Sequence, residues 1–537
     1  MKQSIRLLSC LLLPLLILLP VLVGCNQSEE KPLETENPAM NTPLSDPTSV
    51  LTYGATGSGE TDDTEAFKTA ITEAKTGLVI PAGKYILSSS ILFELPVRIE
   101  PGALLVTEKD CKLTFEKHLD AGLYRIFSGD GDVVLKNNPV AYPEWFGAKN
   151  DGKTDCTEAI QAAIDCYPSG GGRVDFQQGS YSVKDTITIT QSHMTLSGYS
   201  RQTRELAPMI VSKHATKPVL HLLGKSGGNP YDGGLEDVTI QYLEFTRTEM
   251  GKEGSDTILL ENTIYTTIQH TGFAHSQNGV RAVNVNGLRL LTVHATTGGD
   301  LPGKEVRGVY IDGSKRGSTG ILINDFIYYA YGSPKAITYG YKDEAFEGAN
   351  GGSVGDRRIS NFECDGSCDY GIYLKSAGDF ACDISIAEFT MDGIDTCGIY
   401  LEANNAYNWQ QVNITNAYFR LANESGKACG ITAKNFAFVH ATNCHVDNAG
   451  GKNNGICFYN SYGHTITASS FSGGQFKSAI LLDKASNCVI NGNTSNMMGT
   501  LTLRNSNNVI ISSNVLPSFN ISQSGGSKII IENNIIN

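Results

Sequence analysis

The chain has no CxxC pair, no Cys/His quartet and no stretch in which basic residues interleave with aromatics. The first two absences exclude a structural zinc site. The third, with 42 basic against 55 acidic residues and a net charge of −13, excludes a nucleic-acid-binding surface. The same negative field disfavours long-range capture of polyanionic glycans, except where a local basic patch overrides it. Helical periodicity is scarce too, from about residue 205 to the end. Short strands separated by Gly, Asn and Asp turns fill that region instead.

One landmark recurs there: Gly308-Val309-Tyr310-Ile311, Ala336-Ile337-Thr338, Gly371-Ile372-Tyr373-Leu374, Gly398-Ile399-Tyr400-Leu401, Gly430-Ile431-Thr432, Gly455-Ile456-Cys457-Phe458 and Ala479-Ile480-Leu481-Leu482. Its steps of 28, 35, 27, 32, 25 and 24 residues fit single turns of a parallel β coil whose loops vary in length. No turn can bury its own apolar face, so neighbours must stack on it. The Asn-rich end (Asn487, Asn491, Asn493, Asn496, Asn507, Asn508, Asn514, Asn533, Asn534) suits tight bends, because Asn tolerates left-handed backbone.

A second repeat lies upstream. Tyr53-Gly54-Ala55 through Thr61-Asp62-Asp63-Thr64-Glu65-Ala66 is written again as Phe146-Gly147-Ala148 through Thr154-Asp155-Cys156-Thr157-Glu158-Ala159, at an offset of 93. Gly83-Lys84-Tyr85 returns as Gly179-Ser180-Tyr181, at an offset of 96. Asp62-x-x-Glu65 and Asp155-x-x-Glu158 form a capping-box pattern, and the apolar face of the helix behind each can cover an open rung. These acids are therefore expected to be structural.

The two copies, YGATGxGxTDDTxAF…IPAGKYIL and FGAxxDGxTDxTEAIQAAI…QGSY, resemble the pectate-lyase-like domain of rhamnogalacturonase and epimerase-type proteins. The resemblance is sharp over residues 51–106 and 142–200, and Cys156 departs from it where the first copy has Asp63. It implies an all-β, right-handed, single-stranded parallel β-helix of the pectin-lyase type and a carbohydrate substrate. The first copy is expected to be a truncated partner, since only about forty residues part Leu104 from the second motif.

The amino terminus reads as a processing segment. Lys2 and Arg6 precede an apolar run, Leu7 to Val23, that ends in Leu22-Val23-Gly24-Cys25. That ending resembles the lipobox of bacterial lipoproteins, which implies lipidation of Cys25 and anchoring to a membrane. Glu29-Glu30 resembles the acidic surface-export signals of some Gram-negative lipoproteins. The expected organisation is a signal peptide (1–24), a flexible tether (25–50), the truncated first copy (51–140) and the main coil (141–537). Setting Cys10 and Cys25 aside leaves 11 of 13 cysteines, expected as buried free thiols with room for one or two disulfides.

The motifs of the polygalacturonase branch (Asn-Thr-Asp, Gly-His-Gly, Arg-Ile-Lys) are absent, so the site must come from stacking. Phe326, Phe362 and Phe389, continued by Phe419 and Val446, are expected to face inward, one above another. Their preceding neighbours Asp325, Asn361, Glu388, Tyr418 and His445 then point outward, as do the following Glu363, Thr390, Arg420 and Asp447. Asp365 and Asp392 lie two positions further on. Asp325 and Glu388, two turns apart, span about 9.6 Å, near the upper limit for an inverting acid/base pair. Glu363 with Glu388, or Asp365 with Asp392, stands one turn apart, near the separation of a retaining pair.

The same acids admit plainer readings. Asp365-Gly366 and Asp392-Gly393 are ordinary turn pairs, and charged side chains on an outward strand are commonly solvated. A ladder of Lys375, Glu402, Lys434, Tyr459 and Asp483 is expected to be surface ion pairing without chemistry. The stretch 341–358, with Glu344, Glu347, Asp356, Arg357 and Arg358, reads as a long loop walling a groove. Tyr328, Tyr329, Tyr331, Tyr339 and Tyr341 cluster beside it; Tyr329, Tyr331 and Tyr339, with Asp365 and Asp392, are the expected sugar contacts.

The expected function is polysaccharide cleavage, by a hydrolase that needs no cofactor. The alternatives are a lyase and a non-catalytic glycan-binding surface protein. A lyase would use His445 or Tyr418 with Arg420, or a calcium ion held by the acids.

Overall fold

The recurring glycine occupies one equivalent position in seven successive turns of a coil. The computed structural model describes residues 46–168, 170–199, 207–225, 230–298, 301–330, 336–346, 354–366, 368–377, 381–406, 410–495, 497–516 and 519–536. Gly279, Gly308, Gly340, Gly371, Gly398, Gly430 and Gly455 stack in one column. A Cβ on Gly371 would lie 2.5 Å from the Phe389 ring and 2.8 Å from the Gly398 carbonyl. Only glycine lets the rungs and the lumen rings close on one another here. The next residue (Val309, Tyr341, Ile372, Ile399, Ile431, Ile456, Ile480) enters the lumen, and each is in register with the one below.

Every strand pairing between these described turns is parallel. One sheet of 24 strands and one of 14 run the length of the main coil. The fold is a right-handed parallel β-helix. Phe326, Phe362 and Phe389 lie one above another inside it, with ring centroids 5.0 and 6.1 Å apart. A single apolar cluster runs unbroken from Val50 to Leu516. Truncating one of its rings would cost about 3–5 kcal/mol.

The register corrects two expectations. Val309 pairs with Tyr341, so that turn passes through Gly340 and not Ala336. Sequence hides it because Asp343 occupies the following inward position. Its carboxylate accepts from Arg357 Nε at 2.5 Å and from the Tyr341 hydroxyl at 2.7 Å. The supposed loop 341–358 is thus partly strand: Tyr341–Ala345 closes one strand and Arg357 opens another. Second, Phe419 is in register with Met391, not with Phe389, a slip of two residues.

The first copy winds on its own. Strands Leu78–Ile80, Gly83–Leu87 and Ile91–Phe93 make one turn, Val97–Ile99, Ala103–Thr107 and Lys112–Phe115 a second, and Leu119–Ala121, Phe127–Gly129 and Asp132–Leu135 a third. These turns advance 19 and 22 residues, much like the last turns of the main coil, and the interval from Leu104 to the second motif holds the rest of the second turn and the third. Helix α2 (Thr157–Asp165) lies at the junction. Leu135 N–H donates to the Cys166 carbonyl at its end, 2.8 Å away, and Ile126 N–H to the Trp145 carbonyl, 3.0 Å away.

The capping boxes take a different form. Asp63 and Cys156, one residue later than expected, occupy the N-cap positions of α1 (Thr64–Glu73) and α2, without side-chain caps. Asp62 and Asp155 instead bind the Thr two residues on through its N–H and hydroxyl. Asp63 accepts from Thr56 N–H; in the second copy the Cys156 sulfur takes the equivalent Lys149 N–H at 3.3 Å. All 11 described cysteines are free thiols. No described helix is long and apolar enough to cross a membrane. The signal segment, Cys25 and most of the tether lie outside the described residues.

Candidate functional site

The outward acids expected from stacking divide between a bend and a sheet face. Asp325, Asn361 and Glu388 have φ of 60°, 48° and 54°, as do Asn416 (55°) and Asn443 (53°). They form the column of left-handed corners, and the Asn361 amide donates to Asp325 at 3.2 Å. Asp325 and Glu388 therefore do not share a ladder with Tyr418 and His445. Tyr418 pairs with Thr390, and His445 with Tyr418, which puts both in the column of Glu363. The neighbouring outward column holds Tyr329 and Asp365 in register, then Asp392, Arg420 and Asp447 in register.

Glu363, Asp365, Asp392, Arg420, His445 and Asp447 thus do share one outward face of the 24-strand sheet. Asp365, Asp392, Arg420 and His445 are committed locally. Asp392 pairs with Arg420 at 3.2 Å with both side chains half exposed. Asp365 accepts from the N–H of Gly366, the turn contact its sequence suggested. The His445 ring stacks on Tyr418 at 5.5 Å, and its nitrogens lie 2.6 and 3.0 Å from the Ser470 and Ser472 hydroxyls. Of the expected sugar contacts, Tyr329 stands at this face with 40% exposure. Tyr331 and Glu347 lie outside the described residues. Tyr328 and Tyr341 are in the lumen, and Tyr339 is on the other sheet.

That other face, the outside of the 14-strand sheet, is where unlike charges and phenols converge. Register sets Arg281, Tyr310, Lys342, Tyr373 and Tyr400 in one column. Asn278, Arg307, Tyr339 and Tyr370 form a second, and Asp312, Glu344, Lys375 and Glu402 a third. Lys342 is only 6% exposed. Its ammonium lies 2.7 Å from Glu305 and 2.8 Å from Glu344, and over the Tyr310, Tyr339 and Tyr373 rings at 5.8, 4.9 and 5.6 Å. Arg307 packs its guanidinium 4.3 Å above Tyr310 and pairs with Glu305, while its buried Nε has no partner among the described residues. Arg281 bonds Asp312 at 2.6 Å yet stays 35% exposed.

These contacts set protonation. Burial raises Glu305, but Lys342 and Arg307 outweigh it and hold the carboxyl below its usual range. Burial, then Asp312 and Glu344, push the Tyr310 phenol well up; burial and Glu305 do the same for Tyr339. At neutral pH the floor therefore presents an ionised carboxylate beside proton-holding phenols. Behind it, burial pushes Asp256 up to about 6 despite a 2.6 Å hydrogen bond from Asn278. At the amino-terminal end, His221 Nε2 lies 3.0 Å from Glu261, which also binds Lys315 at 2.9 Å.

Sequence reasoning missed this floor because misplacing Gly340 scattered Lys342 and Glu344 into a supposed loop. The tyrosine in each Gly-apolar-Tyr landmark was the available signal. In the Lys375–Asp483 ladder beside it, Lys434 pairs with Glu402 at 3.2 Å. No described group of three or more His, Cys, Asp or Glu is arranged to hold a metal ion. The floor acids each face a cation of the chain instead, so the floor itself does not fit a calcium cage.

Residues 48–100 and 144–216 match the family described as "Rhamnogalacturonase A/epimerase, pectate lyase-like". The chain is similar to that family over these residues, about a quarter of its length. Its two matched segments are the duplicated openings of the two coils. Over 102 residues the chain is 36% identical to alginate lyase 7 of Azotobacter vinelandii, which is 18% of this chain and 12% of that protein's length. Among solved structures, tailspike protein 3 of bacteriophage CBA120 superposes with a TM-score of 0.52 at 12% identity, covering 74% of this chain and 61% of that one. That likeness is one of fold. The A-module of the A. vinelandii mannuronan C-5 epimerase AlgE6 gives a TM-score of 0.46 at 14% identity, covering 74% and 99%.

Proposed function

We propose that the chain is a polysaccharide-active enzyme whose site is the 14-strand face, acting on acidic units by β-elimination. The observation that carries this reading is the cation group Arg281, Arg307 and Lys342, set among phenols and one ionised carboxylate on a single outward face. A uronate's carboxylate raises the barrier to removing the proton beside it, and fixed cations lower that barrier. Arg281, the most exposed of the three, is the group that meets the substrate carboxylate, with Arg307 behind it. Glu305 accepts the C5 proton, and a tyrosine, Tyr310 or Tyr339, gives its proton to the departing oxygen. Tyr370, Tyr373 and Tyr400 continue the floor along the coil axis as stacking surfaces for neighbouring sugars. The family description and the name of the A. vinelandii relative support a polysaccharide substrate. No step passes through a metal.

A second reading is hydrolysis at the 24-strand face, favoured by the convergence of Glu363, Asp365, Asp392, Asp447 and His445 there. A polysaccharide panel separates the two. Elimination yields new reducing ends together with unsaturated-uronate absorbance, whereas hydrolysis yields reducing ends alone. Binding without either product would overturn both. The lipobox-like ending further supports export and lipid anchoring through Cys25, tested by membrane fractionation of Cys25→Ala.

A further inference from the structure

Three thiols on the outer floor take no part in the chemistry proposed above. Cys397 and Cys429 are register partners on the neighbouring parallel strands Ile394–Ala403 and Cys429–Lys434. Cys457 follows one strand later, facing Thr432. A Cβ on Gly398 would run into Phe419 in the lumen at 2.4 Å, so Cys397 just before it points outward. With Leu481 the three thiols form a cluster separate from the lumen, packed against Tyr370, Tyr400 and Tyr459.

Rung spacing puts the Cα atoms of Cys397 and Cys429 about 4.8 Å apart, inside the range a disulfide bridges. Cys457 stands out of register, three residues along from Asn454, the Cα partner of Cys429, although its thiol also hydrogen-bonds that of Cys429. Cys429 is also the most exposed of the three, at 7% against 2% and 1%. Burial pushes its thiol up, but hydrogen bonds from Cys397 and Cys457 outweigh burial and leave it well below the usual range.

We propose that Cys397 and Cys429 are an oxidation site, closing to a disulfide that staples two rungs beneath the tyrosine floor. The oxidant is a small-molecule disulfide. The Cys429 thiolate attacks one of its sulfurs, forms a mixed disulfide and expels one thiolate. The Cys397 thiolate then attacks Cys429 Sγ, forms the protein S–S bond and expels the second. Two electrons pass to the small disulfide, and the two protons end on its two released thiols.

The test uses the folded full-length chain incubated with oxidised glutathione, quenched in acid, alkylated and peptide-mapped. The expected result is a Cys397–Cys429 crosslink with two alkylatable thiols lost, reversal by dithiothreitol and a raised thermal midpoint. Cys457→Ala keeps the crosslink and Cys429→Ala abolishes it. If Cys429→Ala does not fold, Cys397→Ala serves, because it traps glutathione on Cys429. A Cys429–Cys457 crosslink, modification confined to the partly exposed Cys382, or no loss of thiols would each overturn the proposal.

Discussion

The two outward faces of the coil carry similar residue types and treat them oppositely. On the 24-strand face the ion pair Arg420–Asp392 stands half in water, and Asp365 turns back on its own chain. On the 14-strand face Lys342 is nearly enclosed, its charge shared by two carboxylates and three rings. Counting charges along an outward ladder cannot tell these cases apart. What differs is the neighbouring column: Glu363, Thr390, Tyr418 and His445 beside one, the tyrosines Tyr339 and Tyr370 beside the other. Large flat neighbours exclude water, and exclusion makes each charge interaction stronger.

The contrast breaks first at Lys342. Lys342→Met leaves Glu305 and Glu344 without their shared partner, a loss of about 3–5 kcal/mol in denaturant unfolding, and should lower turnover on polyuronate by orders of magnitude. Undiminished turnover in a folded Lys342→Met protein would move the site to the other face.

Asp256 gives the next largest effect. Its folded value of about 6 lies above the ordinary 3.8, so its protonated form favours the folded state. Stability from this group is full below about pH 4 and falls as pH rises to about 6, by roughly 3 kcal/mol. Asp256→Asn should flatten that part of the pH–stability curve, measured as the difference between variant and parent unfolding. An unchanged slope would show that Asp256 ionises normally.

Glu388 tests the bend. A non-glycine residue at φ 54° costs about 1 kcal/mol, so Glu388→Asn should stabilise by up to that amount and leave activity unchanged. A loss of activity would instead support the hydrolase reading. The smallest effect is expected of Arg420→Ala, under about 1 kcal/mol in thermal unfolding, since its pair is exposed and screened. A larger loss would mean that the 24-strand face is less solvated than its exposure indicates.

Much of the coil was legible because its determinants are local. A glycine that must pass a lumen ring, an apolar residue after it and a turn of Asn or Asp recur wherever the chain comes round. The inward stack of Phe326, Phe362 and Phe389 followed from that period alone. The floor did not, because it depends on pairing across turns of unequal length. Gly340 was overlooked because Asp343, next inward after Tyr341, is a carboxylate, and Arg357, on a later strand, with the Tyr341 hydroxyl makes it tolerable there. Cys156 was visible as a departure from Asp63, but not that sulfur would take over a backbone N–H from a carboxylate. Tyr339 was singled out beside Tyr329, although the two lie on different sheets.

The two-residue slip at Phe419 has a wider consequence. Side chains alternate between inside and outside, so shifting a strand by an even number of residues keeps every one on its own side and gives each a new companion above and below. Trading a pair of residues in or out of a corner would therefore recombine an outer surface wholesale while leaving the interior filled. A scaffold of this kind can acquire a new constellation of groups in one step, with no single side chain replaced.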